Sequence, residues 1–350
     1  MKILIDGRSL TPQISGISRY INELTKGYIR EYGNDAVSVI LNQVISAFPY
    51  HYILCPYHRH ALCDNIKFSR FLQKLDYDIY HAGDLIGPFW RKKNAIHLVT
   101  VHDLMLLKVK NFSKASFVKR AFRKIKFSFF WKRILSEADI VISVSETTKK
   151  DVKELLGIAS IVFREGINEI KHDSSDRIKL NHDLIPGKYF LYVGLAMPHK
   201  NIDFLINTFL HSETDKKLVI CGKGHCPIES DRIIYWGWAE DDELDCLYKH
   251  CAAFVFPSLY EGFGLPILEA LSYHCRVFSS HAASLGEFSD KVISFFNPTD
   301  QSQLQYLLEH CDEIQVDDYL VDEYLRHFRW EEIWKEFHQF LKSYIHNGKR

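Results

Sequence analysis

Two carboxylates stand eight positions apart in an otherwise apolar stretch, "PSLYEGFGLPILEALSYHC", which runs from Pro257 to Cys275. They are Glu261 and Glu269. Gly262 and Gly264 lie between them, and Pro266 stands near the start of a helical pattern, where proline is tolerated. A strand pattern, "AAFVFPS", comes just before. A glycine-rich loop opening into a helix presents backbone N–H groups and favours an anion, typically a phosphate. A carboxylate accepts paired hydrogen bonds from vicinal hydroxyls. A sugar offers such a pair, and so does a ribose. The stretch therefore suggests a cradle for a sugar nucleotide. On spacing alone, Glu269 as an ordinary first-turn acid fits equally well.

Other residues could join this chemistry. Lys200 in "YVGLAMPHKN" lies where a strand gives way to a helix and can reach a diphosphate as a point charge. His102 in "LVTVHDLM" follows a run of β-branched residues, so it should emerge at the end of a buried strand. Asp103 beside it should support the loop. Gly16 in "QISGISRY" would let the backbone approach a ligand closely. The bland readings are a surface lysine, a structural histidine and a turn glycine. "GKG" at Gly222–Gly224 is a weak signal by itself. "DDEL" from Asp241 is better read as a helix start, with Asp241 as N-cap and acids in the first turn, than as a metal site.

The elements that must position these groups alternate. "KILID", "AVSVIL", "DIYHAG", "IHLVTVHD" and "ADIVISVS" are strand patterns, with helical periodicity between them as in "SGISRYINELTKGYIREY". The alternation breaks in the polar run from Asn168 to about Asp183 and restarts with "YFLYVGLA", "KLVICGKG", "IIYWGW", "AAFVFPS" and "RVFSS". Such alternation builds a parallel sheet covered on both faces. The chain has 350 residues, about two domains' worth. The expected division is residues 1–168, residues 169–328, and a C-terminal helix over 329–350 that packs back on the first domain. Two such domains imply a cleft, with ligands beyond the carboxyl ends of the strands.

Composition narrows the class. Lys+Arg and Asp+Glu are both 44, which argues against general nucleic-acid binding. The apolar opening ends at Asp6, so no secretory leader is expected, and no window of about 20 residues is free of charge. Eight cysteines without a CxxC pair are expected to be free thiols in a reducing cytoplasm. One stretch stands apart. Leu104–Ser136 carries ten Lys/Arg and no acid, and "KRAFRKIKFSFFWKR" interleaves them with aromatics. A basic aromatic helix of this kind can lie on an anionic membrane surface, here through Lys108–Arg133. A core helix with a solvated basic face is the alternative.

"FVFPSLYEGFGLPILEAL" resembles the paired-glutamate signature of the retaining, GT-B-fold glycosyltransferases of family 4, the group 1 glycosyl transferases. The resemblance runs almost the length of the chain: "GISRYINEL", "TVHDL", "ADIVISVSETTKKDV" and "YVGLAMPHKNIDFLINTF" each resemble a family segment. It implies the GT-B α/β fold of two Rossmann-like parallel-sheet domains facing a cleft. It implies that Glu261 contacts donor-sugar hydroxyls and Glu269 the ribose, and that amides around Phe263, Gly264 and Leu265 meet the diphosphate or sugar. Lys200 would hold phosphate, Gly16 would face the diphosphate and acceptor, and His102 would orient the sugar. No metal or other cofactor is expected. The first half of the family's basic phosphate clamp is Leu195 here, so Arg19 or another base would have to compensate. Glu287 matches a family position without an assigned role. His274 and Arg276 stand where the family often has Gly and Pro.

The opening "IDGRSL…SGISRY" is most similar to bacterial mannosyl- and rhamnosyl-type transferases of surface polysaccharides. The expected activity is sugar transfer, first from GDP-mannose, to a lipid-linked glycan by same-face attack. A dTDP-rhamnose or UDP-sugar donor, a sugar-nucleotide isomerase and a non-catalytic subunit of the same fold are the alternatives. The expected location is cytoplasmic, peripheral on the inner face of the membrane.

Overall fold

The computed structural model describes residues 1–10, 16–46, 48–59, 61–109, 117–168 and 184–348. The polar run expected as a linker lies mostly outside them, as do the residues just before Gly16 and part of the basic stretch. The chain divides into two compact units. One holds Met1–Lys108, Ser113–Gly166 and Ile333–Arg350, and the other is built on Ile167–Glu332.

The first unit carries seven parallel strands: β1 (Ile3–Asp6), β2 (Val37–Leu41), β3 (Tyr52–Leu54), β4 (Ile79–Ala82), β5 (Ile96–Val101), β6 (Ile140–Ser143) and β7 (Ile161–Val162). They are ordered β3-β2-β1-β4-β5-β6-β7. Their helices are α1 (Gly16–Tyr32), α2 (Leu62–Gln73), α3 (Met105–Lys108), α4 (Phe117–Ser136) and α5 (Glu146–Leu156). β1, β4 and β6 are buried at every residue, as a parallel sheet covered on both faces requires. α1 buries Tyr20, Ile21, Leu24 and Tyr28, the stripe its helical periodicity predicts. β3 and β7 are too short to show a period and were not legible as strands.

The second unit has six parallel strands: β8 (Tyr189–Val193), β9 (Lys217–Cys221), β10 (Ile233–Gly237), β11 (Ala253–Phe256), β12 (Val277–Ser280) and β13 (Ser294–Phe296), ordered β10-β9-β8-β11-β12-β13. Its helices are α6 (Ile202–His211), α7 (Asp241–His250), α8 (Leu265–Ser272), α9 (Gln301–Glu309) and α10 (Asp318–Arg326). The N-cap of α7 is Glu240 rather than Asp241. The Glu240 and Glu243 side chains form a reciprocal capping box, so Asp241 is the first helical residue.

The last helix, α11 (Trp330–Gly348), belongs to the first unit from Ile333 onward. Trp334, Phe337 and Leu341 are buried there, and the Trp334 ring meets Tyr28 of α1 edge-on at 5.0 Å. Gly27 gives the indole its seat, since a methyl at that position would collide with it. His338 Nδ1 lies 2.9 Å from the Glu31 carboxylate.

In each sheet the strand order reverses once, between β1 and β4 and between β8 and β11. In parallel α/β sheets ligands bind beyond the carboxyl ends of the strands at such points.

Candidate active-site residues at the strand ends

In the second unit the β8 and β11 loops carry Lys200 and Glu261. Their positions are fixed by backbone ties between the loops. The Asn201 side chain donates to the Pro257 carbonyl at 3.2 Å and to the Pro298 carbonyl at 2.9 Å. The Leu259 amide donates to the His199 carbonyl at 2.7 Å. Asn201 takes left-handed φ (57°) to do this, a conformation asparagine tolerates better than most residues. As a result Lys200 Nζ donates to Glu261 Oε1 at 2.7 Å and sits 4.9 Å above the Phe256 ring. Lys200, expected to hold phosphate, and Glu261, expected to hold sugar hydroxyls, are thus partners of each other. His199, buried next to them, is held below its ordinary value by burial.

The glycine loop ends at Gly264, with φ 126°. A Cβ there would lie 2.8 Å from Leu285 and 2.9 Å from Phe288. Only glycine meets both the backbone angle and the space, and so the chain can turn directly into α8. The first amides of α8 have no intrahelical acceptor, and Pro266 at the start of the helix carries no N–H. Ser284 Oγ secures the loop by donating to the carbonyls of Glu261 at 3.0 Å and Phe263 at 2.8 Å. Glu269 lies one turn into α8. It accepts from the Tyr248 hydroxyl at 3.3 Å. Tyr248 is fixed in turn by stacking on Tyr273 at 5.6 Å.

His274 and Arg276 follow the end of α8. His274 adopts the left-handed conformation (φ 53°) that a glycine would take, and its Nε2 lies 2.9 Å from Asp322. Arg276 donates to the Ile314 carbonyl at 2.6 Å and the Ala252 carbonyl at 3.3 Å. Leu195 is half exposed after β8. The Ala196 amide donates to the Lys223 carbonyl at 3.1 Å, and His225 Nε2 donates to the Gly194 carbonyl at 2.8 Å. The "GKG" loop therefore packs on the β8 loop and brings a second lysine beside the segment whose basic residue is absent. Lys223 Nζ lies 4.7 Å over the Trp238 ring.

In the first unit His102 emerges from β5 and is buried. Its Nδ1 pairs with the Glu165 carboxylate, and its Nε2 donates to the Gly83 carbonyl at 2.9 Å. Tyr20 meets the imidazole edge-on at 4.8 Å. Thr148 of α5 donates to the His102 carbonyl at 3.1 Å. Asp103 does support the loop, accepting from the Met105 amide at 2.8 Å. Burial alone would lower the His102 value. The Glu165 carboxylate outweighs it and raises the ring to about 9. His81 lies within the central strand β4, bonded to Tyr28 and Thr100, and burial pushes it down to about 3. Gly16 is the first residue of α1 and is exposed. Among the described residues, no group of three His, Cys, Asp or Glu side chains is placed to hold a metal ion.

The chain has known relatives. Residues 14–168 match the model of "Glycosyltransferase Family 4", and residues 187–313 match that of "Glycosyl transferases group 1". The chain belongs to the family 4, group 1 glycosyltransferases. Among curated relatives, the serotype-specific mannosyltransferase WbdA of Escherichia coli is 30% identical over 198 residues, 49% of this chain and 24% of WbdA. The O-antigen chain mannosyltransferase RfbU of Salmonella typhimurium is 26% identical over 227 residues, 62% of this chain and 61% of RfbU. The chain thus spans about a quarter of WbdA and about three fifths of RfbU. The lipopolysaccharide outer core galactosyltransferase WaaB has a similar fold, with a TM-score of 0.70, 16% identity, and coverage of 98% of this chain and 99% of that one. The two parallel-sheet domains are those of the GT-B glycosyltransferases.

Glu165, Tyr248 and Lys223 join these residues without a motif of their own in the sequence. Glu165 stands where the strand–helix alternation was breaking up, and it is 63 positions from its partner. Tyr248 lies inside α7 with no motif around it. Only Lys223, between two glycines at a strand end, left a signal that could have been weighed more heavily.

Proposed function

We propose that this protein is a retaining glycosyltransferase that moves a hexose, first mannose from GDP-mannose, onto a lipid-linked glycan during assembly of a bacterial surface polysaccharide. The observation that carries the reading is the juxtaposition of Lys200, Glu261 and the Gly264 turn into α8. It gathers a cation, a hydroxyl-binding carboxylate and a helix N-terminus at one strand-order reversal. Lys200 and the first amides of α8 would stabilise the departing diphosphate, where charge develops. Glu261 would hold the sugar hydroxyls and Glu269, steadied by Tyr248, the ribose. No bound metal is required in this scheme. The acceptor attacks from the face the diphosphate leaves, and the leaving phosphate takes its proton. The mannosyltransferase relatives favour a mannosyl donor.

Helix α4 suggests where the acceptor is met. Its core side is Phe130, Trp131, Ile134 and Leu135. Phe122, Ile125 and Phe129 are 70%, 70% and 67% exposed, and their spacing puts them on one face of the helix. The exposed Lys126 and Lys132 flank them. The helix therefore packs a core and also presents an aromatic, basic face, which fits peripheral binding to the inner, anionic leaflet. No helix among the described residues is long and apolar enough to cross a membrane.

The test is a donor panel of GDP-, dTDP- and UDP-sugars with purified protein, reading nucleotide release with and without a lipid-linked glycan. Release that needs the acceptor and yields an α-linked product from GDP-α-mannose supports the reading. Turnover of a nucleotide sugar without any acceptor would favour the isomerase. In parallel, sedimentation with vesicles of mixed anionic and zwitterionic lipid should recover the wild type and lose the triple variant Phe122→Ser, Ile125→Ser, Phe129→Ser.

A further inference from the structure

We propose that Glu165 is a positioning residue that locks His102 into a doubly hydrogen-bonded imidazolium, so that this histidine serves the reaction as a fixed positive charge and not as a proton carrier. The inference rests on the reading that His102 serves the donor sugar.

The argument is one of donors and acceptors. The Gly83 carbonyl can only accept, so His102 Nε2, at 2.9 Å, must carry a proton. Nδ1 faces the Glu165 carboxylate, which also accepts. A neutral ring has one proton and would leave a lone pair aimed at an oxygen lone pair in a buried place, a costly arrangement. The imidazolium satisfies both contacts. The surrounding groups agree. Asp84, next to Gly83, adds a second negative field, though Arg59 lies 3.2 Å from it and Ser9 donates to it. The Tyr20 phenol, from α1, is pushed well up by burial and stays neutral, bonded to Thr100. From α5, Thr148 donates to the His102 carbonyl. Asp103, next in the chain, is turned to the Met105 amide. The direction of the His102 shift, up to about 9, follows from the same carboxylate.

Two consequences separate this from a merely structural pair. A ring with both N–H groups engaged has no proton to exchange near neutral pH, so turnover should be insensitive to His102 titration from pH 6 to 8. Removing the carboxylate should place that titration inside the working range.

The experiment uses the full-length protein labelled with 15N-histidine and assigned through His102→Gln. In the wild type both His102 nitrogens should give protonated shifts at pH 7. In Glu165→Gln the ring should titrate about 2 units lower. The kcat of this variant should then fall about tenfold per pH unit above the new titration, with KM for the donor changed less. Glu165→Asp should restore most of the wild-type profile. A neutral His102 ring at pH 7 in the wild type overturns the proposal, and so does a Glu165→Gln enzyme whose kcat profile is unchanged. Should Glu165→Gln fail to fold, the wild-type nitrogen shifts decide alone. A charged His102 in a wild type that turns over no donor would strike the glycosyltransferase reading and not the charge assignment.

Discussion

Replacing Glu261 by glutamine should have opposite effects on two ligands. In the free protein Glu261 holds Lys200 in a 2.7 Å ion pair whose side chains are 16% (lysine) and 12% (glutamate) exposed. A nucleoside diphosphate must compete with that carboxylate for the lysine and must also approach a like charge. Surface pairs contribute about 0–1 kcal/mol, and breaking a fully buried pair costs about 3–5 kcal/mol. This pair lies between those limits, at about 1–2 kcal/mol. Releasing Lys200 should therefore tighten binding of the diphosphate by about 5- to 30-fold, since 1.4 kcal/mol is a factor of ten. The intact sugar donor gains the same release but loses its hydroxyl acceptor, so its turnover should fall by two orders of magnitude or so, a loss of about 3 kcal/mol in transition-state stabilisation. Calorimetric titration of GDP against wild type and Glu261→Gln, beside initial rates with the sugar nucleotide, checks both halves. Weaker GDP binding by Glu261→Gln would refute the reasoning, because it would mean that the lysine does not pass from carboxylate to phosphate.

Four further outcomes are expected. His102 sits above its ordinary 6.5, at about 9, so its contribution to stability is complete below pH 6.5 and is lost as pH rises toward 9; the loss is on the order of 3 kcal/mol and should be absent in His102→Gln. His81 lies below its ordinary value, at about 3, so the unfolded chain binds the extra proton and stability falls as pH drops below 6.5; urea melts across pH 4 to 10 in wild type and the single variants measure both limbs. Gly264→Ala forces φ 126° on an L residue and drives a methyl against Leu285 and Phe288, so it should destabilise by about 2–4 kcal/mol and abolish diphosphate binding, read by thermal melts and calorimetry. His274→Gly should raise Tm slightly, because relief of left-handed strain, about 1–2 kcal/mol, exceeds the added unfolded-chain freedom and the loss of an exposed contact to Asp322.

Much of the machinery was legible in the sequence for local reasons. The strand and helix patterns placed the longer strands and α1, because burial on a parallel sheet imposes a period that a few residues reveal. Gly264 and Pro266 announced the loop and the start of α8 through backbone freedom alone. Glu261, Lys200 and His102 were visible as polar groups beyond strand ends and Glu269 as an acid early in α8, and all four stand there. β3, β7 and β13 were not legible, since two or three residues show no periodicity. The Asp241 cap was misplaced by one position because Glu240 and Glu243 together offered the better reciprocal cap.

Tertiary structure alone decided the electrical state of these residues. Lys200 is paired with a carboxylate 61 positions away, and His102 with one 63 positions away. His81 lies within β4 and His102 follows the neighbouring β5, yet one is pushed toward about 3 and the other toward about 9. Residue type sets what a side chain can donate or accept, and local pattern sets where its backbone runs. Charge depends on which distant acceptor the packed sheet brings within a few ångströms, in surroundings too dry for water to take its place.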